Sequence, residues 1–172
     1  MRIRIAFMII IVLMLSGCVE SRYESNDVIT PIDSSYDDYE AFFSEIFEYA
    51  GQYDDHMYIE DVLLRINADS TFTLSITLVK EQNFGYHSNL NIIYESVSKC
   101  IVSSRYSYEN VYHSAPNGEK IDISQWEFSF SEAIEAIRTL HGQEFEGDVC
   151  YCKENQWYII TSNNEKVCVW DK

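Results

Sequence analysis

The segment from Phe72 to Leu78 alternates strictly between apolar and hydroxyl side chains. In order, its members are Phe72, Thr73, Leu74, Ser75, Ile76, Thr77 and Leu78. Because successive side chains of a strand lie on opposite faces, the pattern predicts a strand with one buried face and one solvated face. Strands of this kind are typical of antiparallel sheets, and the fold class must accommodate such a sheet.

Three other segments have the apolar spacing of amphipathic helices. The first begins at Ser35 with acidic residues in its first turn and ends at Gly51, and the second covers about 88–104. The third begins at Ser129 or Ser131 and ends at Gly142. Strands are predicted at 58–66, 72–78, 108–113, 119–124, 148–153, 156–161 and 166–171. The order α-β-β-α-β-β-α-β-β-β predicts an α+β fold, an antiparallel sheet with about three helices packed on one face.

The first eighteen residues have the pattern of an export signal. Arg2 and Arg4 precede an unbroken apolar run, 5–15, which is too short to span a bilayer. Leu15-Ser16-Gly17-Cys18 resembles the lipobox of bacterial lipoproteins at all four positions. The resemblance implies cleavage before Cys18 and acyl chains such as palmitate on that residue, which anchor the protein to the membrane. Val19, where Asp marks inner-membrane retention, resembles the outer-membrane-sorted pattern. An ordinary cleaved signal peptide with an accidental cysteine is the alternative.

Three regions follow from this interpretation. Residues 1–17 are a cleaved lipoprotein signal peptide, and residues 18–35 are the lipidated Cys18 with a flexible tether. Residues 36–172 form a single α+β domain, which is long enough to bury a core. We therefore expect a protein in the cell envelope, lipid-anchored in the outer membrane and facing the periplasm of a Gram-negative bacterium.

The body of the protein is strongly acidic. Without residues 1–17 the chain keeps 10 basic and 28 acidic residues, a net charge of −18. Such a charge excludes nucleic acid as a partner, because nucleic-acid binding requires a basic surface. It favours a basic protein partner, or serves only to keep the domain soluble.

Four cysteines remain after Cys18, namely Cys100, Cys150, Cys152 and Cys168. In an oxidising periplasm such thiols tend to form disulfides. In a simple meander Cys168 lies two strands, or about 9–10 Å, from the strand of Cys150 and Cys152. A disulfide spans only about 6.8 Å between Cα atoms, so we expect Cys100 to bridge from the second helix to the C-terminal strands. A zinc site and free buried thiols are the alternatives, although zinc sites favour wider spacing than C-x-C.

No catalytic motif is present. The chain has no H-E-x-x-H, no G-x-S-x-G and no glycine-rich phosphate loop. Asp54-Asp55-His56 can bind a cation or form an exposed loop. We therefore expect no enzyme, no metal and no cofactor.

From residue 129 to the end, a predicted helix is followed by a predicted meander with Trp157 in its middle strand and Asp171 near its end. This order of elements resembles a PepSY module. PepSY modules usually end with a D-x-x-G turn, whereas only Lys172 follows Asp171. The resemblance therefore covers the order of elements and not the terminal turn.

These features favour a lipid-anchored binding protein that inhibits, or gives immunity against, a basic envelope-acting protein. The predicted contacts lie on the acidic side of the first helix: Asp37, Asp38, Glu40, Glu45 and Glu48. One alternative is a structural or assembly lipoprotein of the outer membrane. Another is a periplasmic enzyme whose active site the sequence does not reveal.

Overall fold

The computed structural model describes residues 22–27, 29–67, 69, 71–81, 86–110, 120–126, 129–141, 149–153, 156–160 and 166–168. The strands are β1 (Arg22–Asn26), β2 (Thr30–Pro31), β3 (Tyr58–Ile66), β4 (Phe72–Glu81), β5 (Tyr86–Glu95), β6 (Cys100–Asn110), β7 (Val149–Lys153), β8 (Gln156–Ile160) and β9 (Lys166–Cys168). The helices are α1 (Tyr39–Ala50) and α2 (Phe130–His141), and a 3₁₀ turn covers Ile123–Gln125.

The strands of the described residues form one antiparallel sheet. Its order is β1-β6-β5-β4-β3-β7-β8-β9. The short strand β2 pairs with the same edge of β6 as β1, nearer to the start of β6. Strands β3 to β6 are a long meander in which each strand pairs with the next along the chain. The meander β7-β8-β9 continues the sheet from the free edge of β3. The meander predicted from the C-terminal sequence is thereby confirmed.

One face of the sheet forms the hydrophobic core with both helices. The register aligns Leu64 with Leu74, Leu74 with Tyr94, and Tyr94 with Ile101, and all four side chains are fully buried. Because alternate residues share a face, the strict alternation of β4 places its apolar side chains in this core. Helices α1 and α2 belong to the same core cluster, where the rings of α1 meet Phe130.

Both helices begin at capping residues that the chain supplies locally. Asp38 is the N-cap of α1, three residues after Ser35, the expected N-cap. At the start of α2, the Ser129 hydroxyl accepts from the Glu132 amide, and Glu132 accepts from the Ser129 amide. This reciprocal pair is a capping box, and it selects Ser129 over Ser131 as the cap.

The predicted α+β arrangement with about three helices on one face is wrong. The fold is dominated by its sheet, and only two α-helices occur in the described residues. Residues expected as the second helix, about 88–104, form β5, a turn and the start of β6. In β5 the buried side chains recur at every second position, as Leu90, Ile92 and Tyr94 do, and Val97 of the supposed apolar stripe is 72% exposed. The segment is compatible with both the helical and the strand period, and the pairing of β5 with β4 selects the strand.

Two other expectations also differ from the structure. Much of the supposed tether is part of the fold, because β1 and β2 both pair with β6. The strand expected at 119–124 is not formed by its described residues, which instead lead into the 3₁₀ turn at Ile123. Residues 1–21, with the expected signal peptide and Cys18, lie outside the described residues.

Candidate binding surface

The face of the sheet opposite the helices carries mainly uncharged side chains. We define the open face as Leu63, Arg65, Thr73, Ser75, Thr77, Asn89, Asn91 and Ile93. None of these residues belongs to the core cluster to which the helices contribute. The whole chain has a formal net charge of −16. The centre of the open face, on β4 and β5, nevertheless presents hydroxyl, amide and aliphatic groups instead of carboxylates.

Hydrogen bonds between strands order the centre of the open face. The Asn91 amide nitrogen lies 3.1 Å from the Ser75 hydroxyl and 3.3 Å from the Thr77 hydroxyl, and donates to both. Beside them is a shallow cleft of about 310 Å³, lined by Leu63, Arg65, Thr73, Ser75 and Ile93. The arrangement offers a small apolar depression with hydrogen-bonding groups around it.

Charged residues surround the uncharged centre on β4 and β5. Arg65 and Arg105 are exposed, and Arg105 lies opposite Asn91 in the ladder. Asp61, opposite Thr77, is half-buried, and burial raises the pKa of its carboxyl, with Glu60 adding to the effect. An uncharged centre with a polar, charged rim is the usual anatomy of a protein–protein interface.

The acidic residues predicted as partner contacts do not form one free surface. Asp38 caps α1, and Asp37 accepts from the Ser131 amide at 3.1 Å and from its hydroxyl at 2.8 Å. Glu45 accepts from the amides of Asp33 and Ser34 and from the Ser34 hydroxyl. These bonds, first of all the one from the Ser34 hydroxyl, lower the pKa of Glu45. Three of the five carboxylates therefore hold the fold together.

The two other predicted contacts, Glu40 and Glu48, are exposed on α1. They remain available to a partner, but they lie on the helix side of the molecule, away from the open face. Asp37 and Asp38 are exposed as well, so the acidic contact surface on this side stays a prediction.

The Asp54-Asp55-His56 segment already has a cation of its own. The Lys80 ammonium group donates to Asp54 at 2.5 Å and also to Asp55. The bond from Lys80 is the main cause of the lowered pKa of Asp55. His56 is 88% exposed in its side chain and has a left-handed backbone with φ of 57°. Lys80 therefore pairs with both carboxylates of this segment.

Buried hydroxyl groups near the end of α1 serve the core. Tyr49 donates to Ser104 at 2.8 Å, and Tyr53 lies 2.9 Å from the same hydroxyl. Ser88 donates to Asp54 at 2.5 Å and accepts from Tyr106 at 3.2 Å. Because Ser88 and Ser104 are fully buried, their hydroxyls are closed to a substrate. These bonds satisfy polar groups that the core would otherwise leave unpaired.

The cysteines are far apart in the strand order. Cys100 begins β6 instead of lying on a helix, and its buried thiol is free and donates to the Ser98 carbonyl. Three strands separate β6 from β7, which carries Cys150 and Cys152, so the sheet order gives no support to the expected bridge. Cys168 ends β9, two strands from β7. The side chains of these last three cysteines lie outside the description, and their pairing stays a prediction.

Sequence reasoning missed the open face because it assigned β5 to a helix. The alternating hydroxyls of β4 are visible in the sequence, but their neighbours Asn89 and Asn91 were not expected on a strand. The described residues contain no group of His, Cys, Asp and Glu suited to a metal ion. Within the same residues, no helix is long and apolar enough to cross a membrane.

Comparison with protein-family models, curated proteins and solved structures finds no match for this chain. The PepSY resemblance accordingly has no support from the family models.

Proposed function

We propose that the chain is a lipid-anchored, periplasm-facing binding protein that captures a basic envelope-acting protein through its open face. The observation that carries this proposal is the uncharged centre of the open face in a strongly acidic chain. The lipobox-like Leu15-Ser16-Gly17-Cys18 supports the anchor, and the net charge supports a basic partner.

The size of the open face suits a partner of this kind. The open face lies on β3, β4 and β5, and its rim on β6 adds a fourth strand. At about 4.8 Å per strand the width is about 19 Å, and nine residues of strand give a length of about 30 Å, so the face with its rim covers about 580 Å² in projection. A standard interface buries about 800 Å² on each partner, so the face and its rim supply most of that area.

Acidic residues outside the centre have a separate role in this mechanism. Long-range attraction brings the basic partner to the surface quickly, whereas the uncharged centre forms the close contact. Binding should therefore be faster at low salt, because salt screens the long-range term. The close contact is expected to depend on Ser75 and Asn91.

The experiment uses residues 19–172, produced in an oxidising compartment, as bait for an envelope extract. The test variant is Ser75→Arg with Asn91→Arg, and the matched control is Glu40→Gln with Glu48→Gln. Each pair changes the net charge by the same two units, but on opposite sides of the molecule. Thermal unfolding of both variants checks that they fold.

We expect one basic protein, retained by the parent and by the control but lost from the open-face variant. If only the control variant fails to retain the basic protein, the contact lies on α1 instead of the open face. Equal retention by both variants would refute the open-face proposal. Retention of an integral outer-membrane assembly at low and high salt would favour a structural lipoprotein instead.

The anchor is tested separately on the full chain. Cys18→Ala should move the protein from the membrane fraction to the soluble fraction, and the parent should carry the mass of the acyl chains. A parent that is soluble and unmodified would refute the anchor without affecting the test of the open face.

A further inference from the structure

The link between the proposed anchor and the folded sheet is very short. Cys18 and Arg22 are separated by residues 19–21, and β1 begins at Arg22. From Cys18 to Arg22 the chain reaches at most about 14 Å, even when fully extended. A flexible tether over 18–35 would have had a typical reach of about 23 Å and a maximum near 60 Å.

The start of β1 identifies the end of the sheet that is close to the anchor. Arg22 lies opposite Tyr108 in the ladder, near the last residues of β6. Tyr86, the first residue of β5, lies opposite Asn110 at the same end. The β5–β6 turn, which contains Val97, lies at the other end of these strands. Eleven residues of β6 give about 37 Å between the two ends.

One pair of aromatic side chains at the anchor-proximal end suits a lipid interface. Tyr86 and Tyr108 are half-buried and stack in parallel, with ring centroids 5.4 Å apart and 5° between the planes. Tyrosine is enriched at membrane interfaces because its ring is apolar and its hydroxyl is polar. Glu81 and Asp55 at the same end are exposed carboxylates, so this end favours a lipid surface without net negative charge.

We infer that the short link holds the Tyr86–Tyr108 end of the sheet against the lipid surface in which Cys18 is anchored. The inference rests on the lipid anchor of the proposed function. In this orientation the strands stand upright on the membrane. The open face is then presented sideways, and the β5–β6 turn points into the periplasm.

Two tryptophan probes at opposite ends of the sheet test this orientation. The variants are Tyr86→Trp and Val97→Trp, each made in the full-length lipidated protein. Val97 is the matched control, because it is 72% exposed and lies at the far end. Each protein is reconstituted in vesicles of phosphatidylethanolamine and brominated phosphatidylcholine, whose bromine quenches tryptophan only on close approach. The native tryptophans give the same background in both variants.

We expect the Tyr86→Trp protein to lose a substantial part of its added emission, and the Val97→Trp protein to keep it. Insertion of ten Gly and Ser residues between Cys18 and Arg22 should abolish this difference. Equal quenching of the two probes, or a difference that survives the insertion, would overturn the inference. Mass spectrometry of the intact protein separates the two proposals, because a missing acyl mass on Cys18 refutes the anchor itself.

Discussion

Replacement of Tyr94 by Phe should stabilise the fold, whereas replacement of Tyr49 by Phe should destabilise it. Both tyrosines are buried in the same core, and each substitution removes a single hydroxyl group. The hydroxyl of Tyr94 is buried without a hydrogen-bond partner among the described residues. The hydroxyl of Tyr49 donates to Ser104 at 2.8 Å. The two variants are therefore matched in chemistry and differ only in the bonding of the lost group.

The expected magnitudes follow from the cost of burying a hydroxyl group. A buried hydroxyl without a bond costs about 1–3 kcal/mol. Tyr94→Phe removes that cost and keeps the edge-to-face contact with Phe42, whose ring centroid is 5.0 Å away. The void left by one oxygen atom offsets only about 0.3 kcal/mol. We expect a net gain near 1 kcal/mol for Tyr94→Phe, and a loss near 1 kcal/mol for Tyr49→Phe.

Urea unfolding of residues 19–172 measures both changes in the free energy of unfolding. In thermal unfolding, each 1 kcal/mol corresponds to a shift of roughly 2–4 °C in Tm for a domain of this size. The two midpoints should move in opposite directions from the parent. If Tyr94→Phe destabilises as much as Tyr49→Phe, the reasoning is refuted, and the Tyr94 hydroxyl must be bonded to a buried water.

The alkaline stability of the same variant gives a second measurement. Burial raises the pKa of Tyr94 to about 12 from an ordinary value of 10.0. Below pH 10 both the folded and the unfolded chains keep this proton, so the group causes no change of stability with pH there. Between pH 10 and 12 the unfolded chain loses the proton first, and the free energy of unfolding falls. Tyr94→Phe should make this alkaline loss of stability less steep than in the parent.

Three other predictions concern contacts that the sequence alone did not reveal. Glu45→Gln should lower the free energy of unfolding at neutral pH and reduce its decrease toward acid pH, because the Ser34 hydroxyl lowers the pKa of Glu45 in the folded chain. The stability that this carboxylate adds is present above its ordinary pKa of 4.5 and is lost as the pH falls through the folded-state pKa. Urea unfolding from pH 7 to pH 3 measures both effects. Asp37→Ala should cost about 1 kcal/mol, as the loss of a helix cap does, because it removes the acceptor for Ser131 at the start of α2; the unfolding midpoint measures the cost, and an unchanged midpoint would contradict the cap. Cys100 should stay reduced in the native protein, because its thiol is buried and free. After denaturation without reduction, maleimide should label Cys100, and peptide mass spectrometry detects the label. An unlabelled Cys100 would indicate a disulfide and contradict this prediction.

Several local features could be predicted from the sequence because they depend on neighbouring residues. The alternation of Phe72–Leu78 identified β4, and Gly51 marked the end of α1. The third helix was predicted with Ser129 as one of its two possible caps, and the capping box with Glu132 confirms that choice. In each case the determining contacts lie within a few positions along the chain.

The wrong assignment of residues 88–104 had consequences elsewhere in the prediction. Leu90, Ile93, Val97 and Ile101 have helical spacing, while Leu90, Ile92 and Tyr94 have strand spacing, so this stretch is compatible with both periods. With a helix there, no β6 exists for β1 to pair with, and residues 18–35 are then expected to be a tether. The absence of β5 from the prediction also hid the alignment of Asn91 with Thr77.

The sequence by itself determined the acidic charge, the lipobox-like start and the elements with a single clear period. The tertiary structure decided which elements share the sheet, which carboxylates serve as caps, and where the chain enters the fold. Asp37 meets Ser131 across 94 positions of sequence, and Lys80 meets Asp54 across 26. Contacts of this kind cannot be read from local patterns, because they join groups that are far apart in the sequence and come close only in the folded chain.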